Sequence, residues 1–231
     1  MRKRFFITGT DTEIGKTTVS EALLRSAQAH GLSTLGLKPL AAGADDIDGQ
    51  WRNGDALTLQ AASSVKVPYE TINPVLLKAP MAPHIAAERE QRRVTVQSLA
   101  GFCRGAFMSN PVDFTLVEGA GGWVVPVNSR ETLADLAREL QLEVILVVGM
   151  KLGCLNHALL TARAIQADGV KLAGWVANQL SADMNGFNEN LQTLQRLMPA
   201  PMIGLLPFMN SDQAIAAQWA EAILFGSDPV K

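Results

Sequence analysis

The most restrictive feature of this sequence is the alternation of short apolar runs with longer segments whose apolar residues recur at helical spacing. Strands that are buried on both faces read as continuous apolar runs, so the pattern is typical of a mostly parallel sheet with helices on both faces. It predicts strands near residues 4–8, 34–38, 114–118, 144–148, 172–177 and 202–206. It predicts helices over residues 16–29, 56–62, 96–108, 133–140, 156–167, 187–197 and 213–224.

Length and composition favour a single α/β domain spanning residues 1–231. The chain has 231 residues, of which 48% are hydrophobic and 18% charged, which is enough apolar material for one substantial core. We find no repeat, low-complexity tract or evident linker. Residues 41–53 are polar and rich in Gly and Asp, which predicts a mobile loop.

The charge balance argues against nucleic acid and membrane surfaces as partners. The formal net charge is −2 and the isoelectric point is near 5.9, so no basic field gathers phosphodiester backbones or anionic lipid. The basic residues Arg2, Lys3 and Arg4 precede an apolar run of only three residues, 5–7, which is too short for an export signal. No stretch approaches the roughly 20 apolar residues of a membrane span. We therefore expect a cytoplasmic protein.

The cysteines and histidines do not form a metal-binding pattern. Cys103 and Cys154 are far apart and have no ligand-spaced partners, so each is interpreted as a small buried hydrophobic residue. His30, His84 and His157 are equally isolated, which favours structural or surface roles.

The segment at residues 9–18, GTDTEIGKTT, joins the first predicted strand to the first predicted helix. This is the context of a Walker A phosphate loop, in which backbone amides and the helix N-terminus hold an anion. Lys16 would reach the outer phosphates of a nucleotide, and the Thr17 hydroxyl would hold Mg²⁺. The strict spacing places the first glycine at Thr10, whereas this chain has Gly9, so the loop is one residue longer than usual. The prediction is an α/β fold of the P-loop NTPase type that binds ATP and Mg²⁺.

Potentially functional residues follow all six predicted strands, at the sheet edge where open α/β folds bind ligands. In chain order they are the Gly9 loop, Lys38, Glu118, Lys151, Asn178 and Pro207.

A transferring phosphoryl group needs positive charge on its oxygens and a carboxylate to fix the metal. Lys38 supplies a second cation, and Glu118 opens the run EGAGG where a Walker B acid would lie; its alternative is a solvated acid at a strand end. Asp55 precedes an apolar helical segment, and from periodicity alone it is better interpreted as a helix N-cap or first-turn acid.

Taken together, these segments resemble the dethiobiotin synthetase family. The resemblance is carried by GTDTEIGKT at residues 9–17, GLKP at 36–39, RNGDAL at 52–57, VEGAGGW at 117–123, KLGCLNH at 151–157 and GWVAN at 174–178. It extends from the first strand to about Pro207 and accounts for the longer phosphate loop. It implies a homodimer that converts 7,8-diaminononanoate, CO₂ and Mg-ATP to the cyclic urea of dethiobiotin.

The resemblance also implies the chemistry and the site residues. One substrate amine becomes a carbamate, which attacks the γ-phosphate to give a carbamic-phosphoric anhydride; the second amine then closes the ring and expels phosphate. It implies catalytic roles for Thr12, Lys16 and Lys38. It implies metal contacts for Thr17, Asp55 and Glu118, which replaces the helix-start interpretation of Asp55. Contacts to ATP are implied for Glu13, Ile14, Gly15, Lys16, Thr17, Thr18, Asp55, Glu118, Gly119, Ala120, Gly121, Asn178, Gln179, Pro207, Phe208 and Met209, with Asn178 reading adenine through its amide.

Two positions depart from the family pattern. Ala42 and Ala82 stand where the family commonly has a hydroxyl and a serine. A diverged ligase acting on another amine is therefore an alternative within the enzyme class. The alternative from another class is a nucleotide-switch protein like the partitioning ATPases, but those usually carry an extra lysine early in the phosphate loop, where this chain has Thr10 and Asp11.

Overall fold

The structure, a computed structural model, describes residues 2–208. Its strands are β1 Lys3–Gly9, β2 Thr34–Leu37, β3 Leu40–Ala42, β4 Asp45–Ile47, β5 Gln50–Arg52, β6 Val75–Leu77, β7 Phe114–Gly122, β8 Glu143–Met150, β9 Leu172–Gln179 and β10 Met202–Leu206. Its helices are α1 Lys16–Ala29, α2 Gly54–Ala62, α3 Tyr69–Ile72, α4 Pro83–Arg89, α5 Val96–Ser109, α6 Leu133–Glu139, α7 Cys154–Ala167 and α8 Phe187–Leu197.

The central sheet has six parallel strands in the order β10-β9-β8-β1-β7-β2. All six strands predicted from apolar runs are confirmed, and α1 and α8 have the predicted bounds. The predicted helix at 213–224 lies outside the described residues. The two inner strands β1 and β8 are buried over most of their length, with Phe6 and Ile7 fully enclosed. This explains why their sequences show continuous apolar runs instead of alternation.

The segment predicted as a mobile loop, residues 41–53, instead contains regular structure. Strand β3 pairs with β6, and β4 and β5 form an antiparallel hairpin. The hairpin turns at Asp48 and Gly49, whose φ angles of 52° and 78° suit a tight two-residue connection. The Asp-Gly pair is a recognised hairpin signal, but its flanking strands are only three residues long and largely exposed.

Strand order places the ligand-binding edge beside β1. The chain passes from β1 through α1 to β2 on one side, whereas β8, β9 and β10 lie on the other side. Such a reversal opens a crevice at the carboxyl ends of the strands, and the loop at residues 10–15 begins there.

The two cysteines match their predicted packing roles. Cys103 and Cys154 are both buried free thiols, and burial raises the pKa of Cys103 to about 12. Among the helices of residues 2–208, none is long and apolar enough to cross a membrane.

Candidate functional site

The loop at residues 10–15 delivers the chain into α1 with an N-terminus suited to an anion. Gly15 is the N-cap residue in a left-handed conformation, with φ 80° and ψ 31°. No side chain caps this end of α1, and no acidic residue lies in its first turn. The first amides of a helix have no intrahelical acceptor and carry the positive end of the helix dipole. Phosphate oxygens fit this position.

Gly15 is also required by close packing. A Cβ added at Gly15 would lie 2.2 Å from the Nδ2 atom of Asn178. The same Nδ2 donates a hydrogen bond of 2.8 Å to the carbonyl oxygen of Ile14. Asn178 therefore contacts the phosphate loop from the end of β9.

Lys16 begins α1 and turns its side chain into the site. The residue is 7% exposed, and its Nζ donates to the carbonyl oxygen of Asp11 at 3.1 Å. Burial lowers the pKa of Lys16 to about 8, and the positive charge of Lys38 acts in the same direction. The group is therefore still mainly protonated at neutral pH, but it loses its proton at a much lower pH than an ordinary lysine unless an anion binds beside it.

Lys38 and Glu118 meet because β2 and β7 are neighbours in register. Leu37 lies opposite Val117, so Lys38 and Glu118, which follow them, come together where β2 ends and β7 continues to Gly122. The Lys38 Nζ donates to Glu118 Oε1 at 2.7 Å, and both side chains are buried. The strand-end acid predicted at Glu118 is therefore not solvated.

The same ammonium group binds two further acceptors. Lys38 Nζ donates to Asp55 Oδ2 at 2.9 Å and to the carbonyl oxygen of Gly119 at 3.1 Å. Burial by itself lowers the pKa of Lys38, but the carboxylates of Glu118 and Asp55 outweigh burial and raise it above its ordinary value.

Asp55 has both a helix-start position and a site contact. The N-cap of α2 is Asn53, whose side chain accepts from the amide of Ala56, so Asp55 is a first-turn acid and not the cap. Its carboxylate is half-exposed and faces Lys38. Burial by itself raises the pKa of Asp55, yet the ammonium of Lys38 outweighs burial and lowers that pKa below its usual value.

Thr17 adds a third oxygen-bearing side chain to those of Glu118 and Asp55, beside the ammonium group of Lys38. Its hydroxyl donates to Glu118 Oε1 at 2.8 Å, and its proximity also helps to lower the pKa of Asp55. One hydroxyl and two carboxylates are hard oxygen ligands of the kind that Mg²⁺ accepts, with nucleotide phosphates and water completing its coordination. Within residues 2–208 no three or more His, Cys, Asp or Glu side chains form a metal-binding group. The donor set therefore fits a nucleotide-associated Mg²⁺ better than an all-protein metal cage.

A cavity of about 660 Å³ lies above these residues. Its polar side is formed by predicted site residues, namely Thr12, Glu13, Ile14, Gly15, Lys16, Thr17, Thr18, Lys38, Asp55, Ala120 and Gly121. Most of the other lining residues are apolar, and we call them the apolar wall: Ala42, Pro80, Met81, Ala82, Pro83 and Val125. The two positions that depart from the family pattern, Ala42 and Ala82, thus line the same cavity as Lys38.

The remaining predicted site residues do not line this cavity. Glu118 is fully buried and contacts the lining residues Lys38 and Thr17. Gln179 and Phe208 meet near the ends of β9 and β10, where the Phe208 amide donates to the Gln179 side chain at 3.4 Å. Pro207 lies beside Phe208, and Met209 lies outside the described residues.

Several contributors to the site were not predicted from the sequence, among them Met81, Asn53 and Ser20. Met81 is in the proline-flanked segment between β6 and α4, and Asn53 also lines the cavity. Ser20 donates to Glu118 Oε2 at 2.7 Å. The only local signal for Ser20 is its position three residues after Thr17, which places both hydroxyls on one helix face.

The fold resembles those of solved cell division proteins at low sequence identity. A chain of the MinC:MinD cell division protein complex of Aquifex aeolicus superposes with a TM-score of 0.61 at 14% identity, covering 99% of this chain and 98% of that one. FtsY of Thermotoga maritima gives a TM-score of 0.55 at 12% identity, covering 97% and 69%. These likenesses establish the fold alone.

Sequence comparisons are more specific. A family model described as an AAA domain matches residues 3–214. The ATP-dependent dethiobiotin synthetase BioD of Cellvibrio japonicus is 56% identical over 216 residues, 94% of each chain. Its counterpart in Marinobacter nauticus is 50% identical over 91% of this chain and 90% of the relative, and BioD 1 of Escherichia coli O157:H7 is 46% identical over 94% and 96%. With this degree of identity over nearly the whole chain, this protein belongs to the ATP-dependent dethiobiotin synthetase family.

Proposed function

We propose that this protein uses ATP to close 7,8-diaminononanoate and CO₂ into the cyclic urea of dethiobiotin, a step of biotin biosynthesis. The observation that carries the proposal is the position of Lys16 and Lys38 at one cavity, between an uncapped helix N-terminus and an apolar wall. Family membership gives the reaction, and the cavity supplies places for an anion and an aliphatic chain. We also infer a cytoplasmic location, because the reaction consumes ATP.

The nucleotide is proposed to lie along the phosphate loop. Its phosphates would contact the first amides of α1 and the Nζ of Lys16. The adenine would lie toward Asn178 and Gln179, at the ends of the neighbouring strands. Because one N–H of the Asn178 amide is bound to Ile14, its oxygen is the atom best suited to accept a hydrogen bond from adenine.

The γ-phosphate would then face the amine-binding part of the cavity. Attack by a substrate carbamate places negative charge on both reacting groups, and preorganised cations stabilise such charge. Lys16 supplies one cation from the start of α1, and Lys38 supplies a second from the end of β2. Thr12 lines the same cavity, where its hydroxyl would act as a hydrogen-bond donor. Ring closure by the second amine would release phosphate.

We propose Thr17, Asp55 and Glu118 as the groups that hold Mg²⁺, which neutralises phosphate charge when bound. Glu118→Gln and Asp55→Asn should each raise the Mg²⁺ concentration required for half-maximal activity, because a hard cation prefers anionic oxygen. Unchanged Mg²⁺ titrations in both variants would contradict the assignment.

The decisive experiment follows labelled carbon into product. Purified protein is incubated with labelled bicarbonate, Mg-ATP and 7,8-diaminononanoate, and the expected product is labelled dethiobiotin. ATP hydrolysis alone does not distinguish a synthetase from a nucleotide switch, so product identity is the required measurement. Labelled product only with a different diamine would favour the second candidate, a diverged ligase, for which Ala42 and Ala82 in the cavity wall are the supporting observation.

We propose that the active form is a homodimer whose partner contributes the segment at residues 153–157. In this chain Leu152, immediately before α7, is 96% exposed, and Gly153 opens α7 with φ 94° and no side-chain cap. An exposed leucine beside an uncapped helix start suits contact with a partner and with a substrate carboxylate. Mixing Lys38→Ala chains with Asn156→Ala chains should restore part of the activity in heterodimers. No recovery after confirmed subunit exchange would contradict a shared site.

A further inference from the structure

The buried carboxylate of Glu118 is held by hydroxyl groups on both of its oxygens. Oε1 accepts from Thr17 at 2.8 Å and from Lys38 at 2.7 Å. Oε2 accepts from the hydroxyl of Ser20 at 2.7 Å. Both Glu118 and Ser20 have no exposed surface, so water does not substitute readily for the Ser20 contact.

Helix geometry explains why Ser20 reaches this carboxylate. Residues three apart on an α-helix lie on the same face, so Thr17 and Ser20 present their hydroxyls side by side. Strand β7 pairs with β1, directly under α1, with Glu118 opposite Ile7. The carboxylate therefore lies between one helix face and the end of β2.

The two contacts give the carboxylate oxygens different roles. The terminal torsion of a glutamate has broad preferences, so an unrestrained carboxylate samples many orientations. A donor on Oε2 fixes the carboxylate plane and leaves Oε1 directed at Thr17 and Lys38, on the cavity side. Groups that orient a metal ligand typically affect metal affinity although they never touch the metal.

We propose that Ser20 is a positioning residue for Mg²⁺–ATP: its hydroxyl holds Oε2 of Glu118 so that Oε1 faces the cation. This inference rests on the proposed role of Glu118 in holding Mg²⁺. A merely structural serine would support the stability of α1 without altering metal dependence, so the two roles are separable by experiment.

The test compares Ser20→Ala with Ser26→Ala, a second buried serine of the same helix that lies two turns away from the site. Mg²⁺ affinity is measured by calorimetry with a saturating non-hydrolysable ATP analogue, and analogue affinity is measured separately in EDTA. Ser20→Ala should weaken Mg²⁺ binding by roughly tenfold to a hundredfold, with analogue affinity in EDTA unchanged. Ser26→Ala should leave both affinities at the parent values. Parent-like Mg²⁺ affinity in folded Ser20→Ala, or an equal loss in Ser26→Ala, would overturn the proposal.

A double-mutant cycle separates this inference from the metal assignment. If Ser20 acts through Glu118, adding Ser20→Ala to Glu118→Gln should weaken Mg²⁺ binding no further. A loss in Glu118→Gln with none in Ser20→Ala would reject the Ser20 role alone, whereas no loss in Glu118→Gln would reject the metal site itself.

Two conservative variants keep the test informative if Ser20→Ala does not fold. Ser20→Thr keeps the hydroxyl and should retain Mg²⁺ affinity within several-fold of the parent. Ser20→Cys, with a much weaker donor of similar size, replaces Ser20→Ala if the latter does not fold, and it should show the weakened Mg²⁺ binding. Parent-like affinity in the cysteine variant would equally overturn the proposal.

Discussion

Lys16 and Lys38 line the same cavity, are both buried, and have opposite electrostatic environments. Lys38 contacts two carboxylates and a carbonyl, and its pKa is raised. Lys16 contacts only the carbonyl oxygen of Asp11 among the contacts described for its side chain, and its pKa is lowered to about 8. The positive charge of Lys38 is thus already neutralised by carboxylates, whereas that of Lys16 is not.

This difference shows that burial alone does not determine the pKa of a lysine. Desolvation lowers the pKa of both side chains, and only Lys38 has anionic partners close enough to reverse the effect. In the proposed function, the triphosphate supplies the missing partner of Lys16. Lys38 should therefore matter for folding and for chemistry, and Lys16 for nucleotide binding and chemistry alone.

The largest expected effect is on stability. Lys38→Ala leaves Glu118 fully buried without its cation, which should lower the free energy of unfolding by about 3–5 kcal/mol. Lys16→Ala should change it by less than about 1 kcal/mol, since no carboxylate depends on Lys16 as a hydrogen-bond donor. Urea denaturation of both variants measures the contrast. Equal losses of stability would show that the two lysines do not differ in this way.

The next effect is on turnover. Lys16→Ala should reduce ATP-dependent product formation by at least roughly a hundredfold while the protein remains folded, because the variant removes a cation from the developing phosphate charge. Steady-state product assays at saturating substrates, with circular dichroism as the folding control, test this expectation. Parent-like turnover of ATP by the purified variant would place the phosphate site elsewhere.

A smaller effect concerns pH. Free Lys16 loses its proton as pH rises through about 8, whereas bound phosphate raises its pKa, so ATP binding above that pH must take up a proton. ATP affinity should be flat below this point and fall by about tenfold by one unit above it. Calorimetry in buffers with different ionisation heats detects the uptake. Lys16→Arg, which stays protonated, should show neither the uptake nor the decline.

The smallest effect concerns the apolar wall. Ala42→Ser should improve kcat/KM for the diamine by about twofold to tenfold, the value of a hydrogen bond to a neutral partner, while the Kd for ATP stays nearly unchanged. The measurement is the ratio of diamine kcat/KM between variant and parent at saturating ATP. A ratio of one or below would indicate that Ala42 is adapted to its surroundings.

Much of the fold was readable from the sequence because its signals are local. Buried parallel strands appear as apolar runs, helices as a repeating apolar face, and the phosphate loop as glycines and a lysine between the two. Between residues 40 and 89 the helix α2 was predicted, whereas the shorter strands β3 to β6 and the helices α3 and α4 were not. Strands of three residues and helices of four to seven are too brief to show a period, and tertiary packing decides them.

The sequence by itself determined that this chain has an α/β sheet, a phosphate loop and acids and lysines near strand ends. Only the tertiary structure decided which of them meet. Lys38 and Glu118 are 80 residues apart, and Ser20 and Glu118 are 98 apart. Their contacts follow from strand order, because β7 lies between β1 and β2 and brings the lysine, the acid and the α1 hydroxyls to one point. A local pattern records the neighbours of a residue along the chain, whereas charge neutralisation depends on its neighbours in space.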